Sequence, residues 1–118
     1  MKKITVLVIT VTLFTALFPA VSFAHPPKAP EITWAADTHT LTVSAPHFVS
    51  NPAKHYVLGL VVLNSKGEQL LTKQYTKQAS EKTFSDSVQI NSLKNGDTVK
   101  VRLICNIMGT AEKEFKLP

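Results

Sequence analysis

The sequence after residue 24 predicts an all-β domain, and three observations support this prediction. Apolar and polar residues alternate with a period of two in several short segments. Turn-forming sequences separate these segments. No segment after residue 25 has a sustained helical apolar period with caps. These features favour a β-sandwich of about seven strands, close to the immunoglobulin-like class and preceded by a signal peptide.

The first 24 residues have the organisation of a secretory signal peptide. Lys2 and Lys3 form a short positive region, and an apolar, threonine-containing run follows from Ile4 to Phe18. Small residues, Ser22 and Ala24, stand where a signal peptidase requires them. A retained membrane anchor is the alternative, but about 15 apolar residues are fewer than the roughly 20 that span a bilayer. We therefore expect cleavage after Ala24 and a periplasmic or secreted protein that keeps no membrane span.

The domain predicted for residues 25–118 begins with an extended segment and two strands. Three prolines within residues 25–30 predict an extended, unpaired chain. Residues 40–44 alternate, which places Leu41 and Val43 on one face. Residues 55–63 are more uniformly apolar, as in the central strand of a sandwich.

The rest of the chain continues this pattern of strands and turns. A turn sequence at residues 64–67 allows residues 68–77 to return as a strand, and Asn95-Gly96 predicts a second tight turn. Residues 113–117 can close the sheet. Two sets of apolar residues share one face each: Phe84, Val88 and Ile90, and then Val99, Val101, Leu103 and Cys105.

The charge of the domain is ordinary for a soluble surface. Of the 13 basic residues, Lys2 and Lys3 leave with the signal peptide, so 11 basic residues face 8 acidic ones and the net charge is +3. The remaining lysines are scattered along the chain, whereas a nucleic-acid footprint needs a concentrated basic face. We therefore expect no nucleic-acid partner.

Two histidines flank a proline-containing loop. His47 and His55 are eight residues apart, with Pro52 between them. A loop of this kind can fold back so that both imidazoles face one point, which a straight strand cannot do. The alternative is a pair of surface histidines.

Cys105 is the only cysteine, so it cannot form an internal disulfide. In an exported protein a single thiol is a buried inert side chain, an intermolecular cross-link or a metal ligand. Its parity with the apolar residues before it predicts that the sulfur points inward or lies at the end of the sandwich. Met108 follows in a glycine-containing loop.

His25 would become the amino-terminal residue after the predicted cleavage. It would then offer an imidazole and a free amine together, a pair able to chelate a transition metal. The alternative is a frayed terminus, which the prolines that follow favour.

Three short motifs occur in order: Pro46-His47, Lys54-His55-Tyr56, and Cys105-Asn106 with Gly109. In order and separation they resemble the iron-binding domain of the desulfoferrodoxin (superoxide reductase) family. The resemblance extends over essentially the whole domain, from about residue 30 to residue 117.

The resemblance implies an immunoglobulin-like sandwich that holds one ferrous iron through four histidines in a plane and an axial cysteine thiolate. Superoxide is reduced to hydrogen peroxide at the open sixth position, so superoxide and an electron-donor protein are the implied partners. Neutral imidazoles suit Fe2+, and the thiolate donates electron density. The resemblance makes His47 and His55 equatorial ligands and Cys105 the axial ligand. Lys54 could help to attract the superoxide anion.

The sequence departs from the family pattern at three places. Met108 stands where the family has a histidine after the cysteine, and Lys28 stands where it has a histidine before a proline. The loop between His47 and His55 is longer than the family's usual spacing. His25 is close in sequence to the vacant position at Lys28 and could substitute there. The candidate ligands are therefore His47, His55 and Cys105, with Met108 and His25 as additions.

Two other functions remain open. Two histidines, a cysteine and a weak methionine are the ligand types of blue-copper proteins, so the domain could be a copper-binding or electron-transfer module. It could also be a metal-free carrier or binding protein, because sulfur-compound-binding subunits of thiosulfate-oxidising systems have a similar sandwich. Fold alone does not decide among these functions.

Overall fold

Seven strands and no helix make up residues 25–118, the part of the chain that the computed structural model describes. The predicted signal peptide, residues 1–24, lies outside the described residues. Within residues 25–118 there is no helix that could cross a membrane. The strands are β1 (Glu31–Ala35), β2 (Thr40–Pro46), β3 (Val57–Asn64), β4 (Gln69–Gln74), β5 (Thr83–Gln89), β6 (Thr98–Cys105) and β7 (Thr110–Lys116).

The strands form two antiparallel sheets, which confirms the predicted all-β class. One sheet has the order β1-β2-β5 and the other the order β4-β3-β6-β7. In the first sheet, Leu41 of β2 lies opposite Trp34 of β1 and Val88 of β5. In the second, Leu60 of β3 lies opposite Leu103 of β6. The centre of each sheet is therefore lined by apolar residues that face the other sheet.

The core contains the residues that the period of two placed on the inner faces. Leu41, Val43, Val99, Val101 and Leu103 are completely buried. Because side chains alternate along a strand, Cys105 follows Leu103 on the same inner face and is 5% exposed. It is the last residue of β6, so its sulfur lies where the core ends and the loops begin.

The strands differ from the sequence prediction most clearly at β1 and at the start of β3. β1 was not predicted, because its short alternation around Ile32 and Trp34 is stabilised by pairing with β2 and has little signal of its own. β3 begins at Val57, so His55 and Tyr56 belong to the preceding loop. This second difference matters for the site, because a loop residue can point where a strand residue could not.

A hydrogen-bonded ion pair joins the edges of the two sheets. Tyr75, just after β4, donates from its hydroxyl to the Asp86 carboxylate in β5, and Lys73 Nζ lies 2.7 Å from the same carboxylate. Partial burial by itself would raise the pKa of Asp86. The hydrogen bonds from Lys73 and Tyr75 outweigh burial and lower the pKa of Asp86 below 3.8.

Asp86→Asn should make the stability of the domain less sensitive to acid. A carboxyl group with a lowered pKa in the folded state contributes stability above its unfolded pKa of about 3.9, and this contribution is lost as the pH falls through the folded value. The free energy of unfolding, measured with urea at several pH values below 5, should therefore fall more steeply in the wild type than in Asp86→Asn. Asp37→Asn, at an exposed turn, is the control. Equal slopes in the wild type and Asp86→Asn would contradict this account.

Candidate metal centre

His47 is held by backbone pairing that continues beyond the end of β2. Its backbone N–H donates to the Lys82 carbonyl at 2.9 Å, and the N–H of Val49 donates to the Glu81 carbonyl at 2.8 Å. Inward and outward side chains therefore keep alternating past β2, and His47 points inward with 1% of its surface exposed. A histidine buried to this degree is not one of a pair of surface histidines.

His55 is brought back toward His47 by a turn at Asn51 and Pro52. The backbone N–H groups of Lys54 and His55 both donate to the Asn51 carbonyl, at 3.0 and 2.9 Å. The Asn51 side chain closes the turn by accepting from the N–H of Ala53 at 3.1 Å. The loop folds back as its composition predicted, and the two imidazole rings meet edge to face with centroids 4.8 Å apart.

Asn106 connects the histidine loop to Cys105. Its side-chain oxygen accepts from the N–H of Tyr56 at 2.9 Å, and its side-chain amide donates to the Lys54 carbonyl at 2.9 Å. Its backbone N–H also donates to the Tyr56 carbonyl at 3.0 Å. These bonds hold the residues on both sides of His55 against the residue that follows Cys105, so the imidazole and the thiol keep a fixed relative position.

The donor atoms of His47, His55 and Cys105 lie within 4.8 Å of one another. Nitrogen ligands bind a transition metal at about 2.0–2.1 Å and sulfur ligands at about 2.3 Å, so two ligands of one ion lie about 3–4.5 Å apart. Small side-chain adjustments would therefore let all three atoms bind one ion. Two imidazoles and a thiolate suit iron, copper or zinc better than the hard cations Mg2+ or Ca2+.

Gln78 determines which nitrogen of the neutral His47 ring carries the hydrogen. Nothing in the sequence around Gln78 indicated this role. The Gln78 amide donates both its hydrogens, to the carbonyls of His47 at 2.9 Å and Ser80 at 2.8 Å. Its oxygen must therefore be the acceptor in the 2.8 Å contact with His47 Nδ1. In the neutral ring Nδ1 carries the hydrogen, and Nε2 keeps a lone pair that can bind a metal.

One ring nitrogen of His55 forms no hydrogen bond within residues 25–118 and is available to bind a metal. Its Nε2 is buried and has no hydrogen-bond partner there. Burial, followed by repulsion from His47 and His25, lowers the pKa of His55 below 6.5. This shift favours the neutral imidazole, which is the form that binds metals. An unpaired buried polar atom costs about 1–3 kcal/mol, and a metal ion at this position would offset that cost.

The other three candidates lie around this cluster. His25 is exposed, with its ring centroid 5.9 Å from that of His47 and 6.0 Å from that of His55. Met108 is 56% exposed in the loop between β6 and β7, so packing does not hold its thioether toward the cluster. Lys54 is exposed next to His55. The structure thus brings His47, His55 and Cys105 together, with His25 beside them.

Comparison with known proteins identifies the fold. No protein-family model matches the chain, and no curated protein does. The chain is similar to the solved structure of a superoxide reductase (1Fe-SOR) from Giardia intestinalis, with a TM-score of 0.57 and 16% identity over 79% of this chain and 100% of that one. It is also similar to a superoxide reductase (neelaredoxin) from Ignicoccus hospitalis, with a TM-score of 0.50 and 16% identity over 78% of this chain and 80% of that one. The chain therefore has a superoxide reductase-like fold.

Proposed function

Starting from a superoxide reductase-like fold, we propose that residues 25–118 are an exported domain that binds one ferrous ion and reduces superoxide to hydrogen peroxide. His47, His55 and Cys105 are the ligands. The observation that carries this proposal is the convergence of their donor atoms within 4.8 Å, one of them a buried nitrogen with no partner among the described residues. A convergence of this kind is typical of a metal site and has no evident use in the packing of a β-sandwich.

The proposed chemistry transfers one electron. A ferrous ion held by His47, His55 and Cys105 would supply the one electron that, with two protons from water, converts superoxide to hydrogen peroxide, and an electron-donor protein would have to replace that electron. His47 and His55 would supply nitrogen ligands held by Gln78 and the Asn51 turn. The burial of Cys105 protects its sulfur from oxidation by solvent species. Lys54, exposed beside the site, adds positive potential that attracts an anion.

The stoichiometry of hydrogen peroxide formation tests this proposal. The protein should be loaded anaerobically with Fe2+, supplied with excess reductant and exposed to a known quantity of superoxide. Reduction yields one hydrogen peroxide per superoxide consumed, whereas spontaneous dismutation yields one per two. The proposal predicts that superoxide decays faster than in the absence of protein and that one hydrogen peroxide forms per superoxide consumed. Decay at the uncatalysed rate in iron-loaded protein would contradict it.

A copper-binding or electron-transfer role is the second candidate, and the ligand types favour it. The cluster contains two imidazoles and one thiolate, the set that forms trigonal blue-copper sites. The exposure of Met108 argues against the axial thioether of such a site. An intense visible band on addition of Cu2+, together with a failure to retain Fe2+, would favour this role over superoxide reduction.

Gln78→Leu should weaken metal binding although Gln78 is not itself a ligand. The substitution removes the acceptor that fixes the proton on His47 Nδ1, and loss of such an outer partner typically costs about 10–100-fold in metal affinity. The dissociation constant is measured by competition with a chelator of known affinity. Gln78→Glu keeps an acceptor for Nδ1–H and should retain more of the affinity. Gln74→Leu, exposed on β4, is the control. If Gln78→Leu binds metal as tightly as the wild type, Gln78 has no positioning role.

A further inference from the structure

The structure places His25 beside the metal centre by its backbone as well as by its ring. The His25 carbonyl oxygen lies 3.3 Å from His47 Nε2, the nitrogen that Gln78 leaves free to bind a metal. Both atoms are acceptors when the His47 ring is neutral, so their proximity is unfavourable unless a proton or a cation lies between or beside them. The backbone of residue 25 therefore lies at the edge of the position that an ion would occupy.

Residues 26–30, which follow His25, are anchored by contacts with Gly109 and Pro46. Pro26 packs so closely on Gly109 that a Cβ at residue 109 would lie 2.8 Å from the Pro26 Cβ. The N–H of Lys28 donates to the Pro46 carbonyl at 3.0 Å, and Pro27 and Pro30 are buried. The expectation of a frayed terminus is therefore not met from residue 26 onward.

The contact between Pro26 and Gly109 also links this segment to the cysteine loop. The Gly109 carbonyl accepts from the N–H of Cys105 at 3.0 Å, so the loop that begins at the thiolate ends under Pro26. Gly109 has a φ of 86°, a left-handed conformation that favours glycine. His25 is thus held on the same side of the domain as the three proposed ligands.

The chemistry of His25 depends on whether the peptide bond that precedes it is intact. In the uncleaved chain the backbone nitrogen of His25 is an amide, which is a poor metal ligand. After cleavage following Ala24 the nitrogen becomes an amine, and the amine and Nδ1 of the same residue can close a six-membered chelate ring with one ion. In the uncleaved chain Nδ1 lies 3.4 Å from the Pro26 carbonyl, and the ring centroid already lies 5.9 Å from that of His47 and 6.0 Å from that of His55.

We propose that removal of residues 1–24 completes the metal centre, because the freed amine and the imidazole of His25 then bind the ion held by His47, His55 and Cys105. This inference rests on the proposed metal-binding function. The amine and the imidazole of His25 supply two nitrogen ligands close in sequence to Lys28, the position at which superoxide reductases have a histidine and this chain has none. Because the amine forms only on cleavage, tight metal binding is delayed until the chain has been exported and cleaved.

The test compares two exported proteins that differ by one alanine, which decides whether the backbone nitrogen of His25 is an amine or an amide. The first begins at His25, as checked by mass. The second has one alanine inserted between Ala24 and His25. Its signal should still be cut after Ala24, because a cut after the inserted residue would place Phe23 where a small residue is required. The nitrogen of His25 is then an amide, and the imidazole is unchanged.

The dissociation constant for Fe2+ is measured for both proteins by chelator competition. We expect the alanine-extended protein to bind at least about tenfold more weakly, the lower end of the cost of disturbing a metal site. We also expect the metal to protect the amine of the first protein from acetylation by an amine-directed reagent, read by mass spectrometry. His25→Ala, which keeps an amine but loses the imidazole, should also bind more weakly than the wild type.

Three outcomes separate this inference from the function on which it rests. Weaker binding by the extended protein, with protection of the amine, supports both. Equal binding by the two proteins, with an amine that reacts equally with and without metal, overturns the inference and leaves the metal centre in place. Absence of metal binding by either protein overturns both.

Discussion

Cys105→Ser should abolish the thiolate-to-metal absorption band of the metal-loaded protein. The thiolate is the only sulfur ligand of the proposed cluster, and a serine hydroxyl at the same position is a much weaker donor to a soft or borderline metal ion. Cys105 is the only cysteine of the sequence and is almost completely buried at the end of β6, so no second thiol of the chain can replace it. The visible spectrum of the loaded protein and the affinity for the metal measure the effect, and circular dichroism checks that the sandwich is retained.

Met108→Leu is the matched control for Cys105→Ser, because Met108 lies on the loop that begins at Cys105. Its side chain is more than half exposed, so removing the sulfur should leave both the band and the metal affinity unchanged. A band that survives in Cys105→Ser would show that the thiolate is not a ligand. A band that shifts in Met108→Leu would make the thioether a ligand and favour the copper site.

Removing either histidine of the cluster should lower metal affinity strongly. Loss of an outer partner such as Gln78 typically costs about 10–100-fold, and loss of a ligand should cost more. His47→Ala removes a fully buried imidazole whose Nε2 is oriented for binding, and His55→Ala removes the nitrogen that has no partner within the described chain. Titration of the apoprotein with Fe2+ in competition with a chelator gives the dissociation constants.

His39→Asn is the control for these two substitutions. His39 bonds to the Leu93 carbonyl through Nδ1 at 2.8 Å, away from the cluster, and its φ of 51° is a conformation that asparagine tolerates. We expect this variant to bind metal like the wild type. If His47→Ala and His55→Ala also bind like the wild type, the cluster is not a metal site, and the metal-free carrier becomes the better interpretation.

The sequence predicted much of this fold because the core residues follow one simple period. Val99, Val101, Leu103 and Cys105 alternate with exposed or partly buried residues, and their burial could be anticipated without the structure. The edge strand β1 could not, because its few residues are held by pairing with β2. A strand stabilised by its neighbour leaves little trace in its own sequence.

The site was predictable only where neighbouring residues in the sequence define it. The return of His55 toward His47 depends on a local turn at Asn51, which the composition of the loop indicates. The contact between His47 and Gln78 joins residues 31 positions apart and depends on how the two sheets pack. The anchoring of His25 has the same origin, because it depends on Pro26 meeting Gly109 at the opposite end of the chain.

The metal content of the protein, purified without added metal from the compartment to which we propose it is exported, tests the central claim most directly. The account predicts about one iron per chain, since the cluster offers one set of converging ligands. It also predicts a visible band in the oxidised protein that disappears on reduction. One copper per chain would replace the iron assignment with the copper-binding role. A protein that contains no metal and takes up neither iron nor copper on reconstitution would contradict the account, and the domain would then be a binding module without a metal.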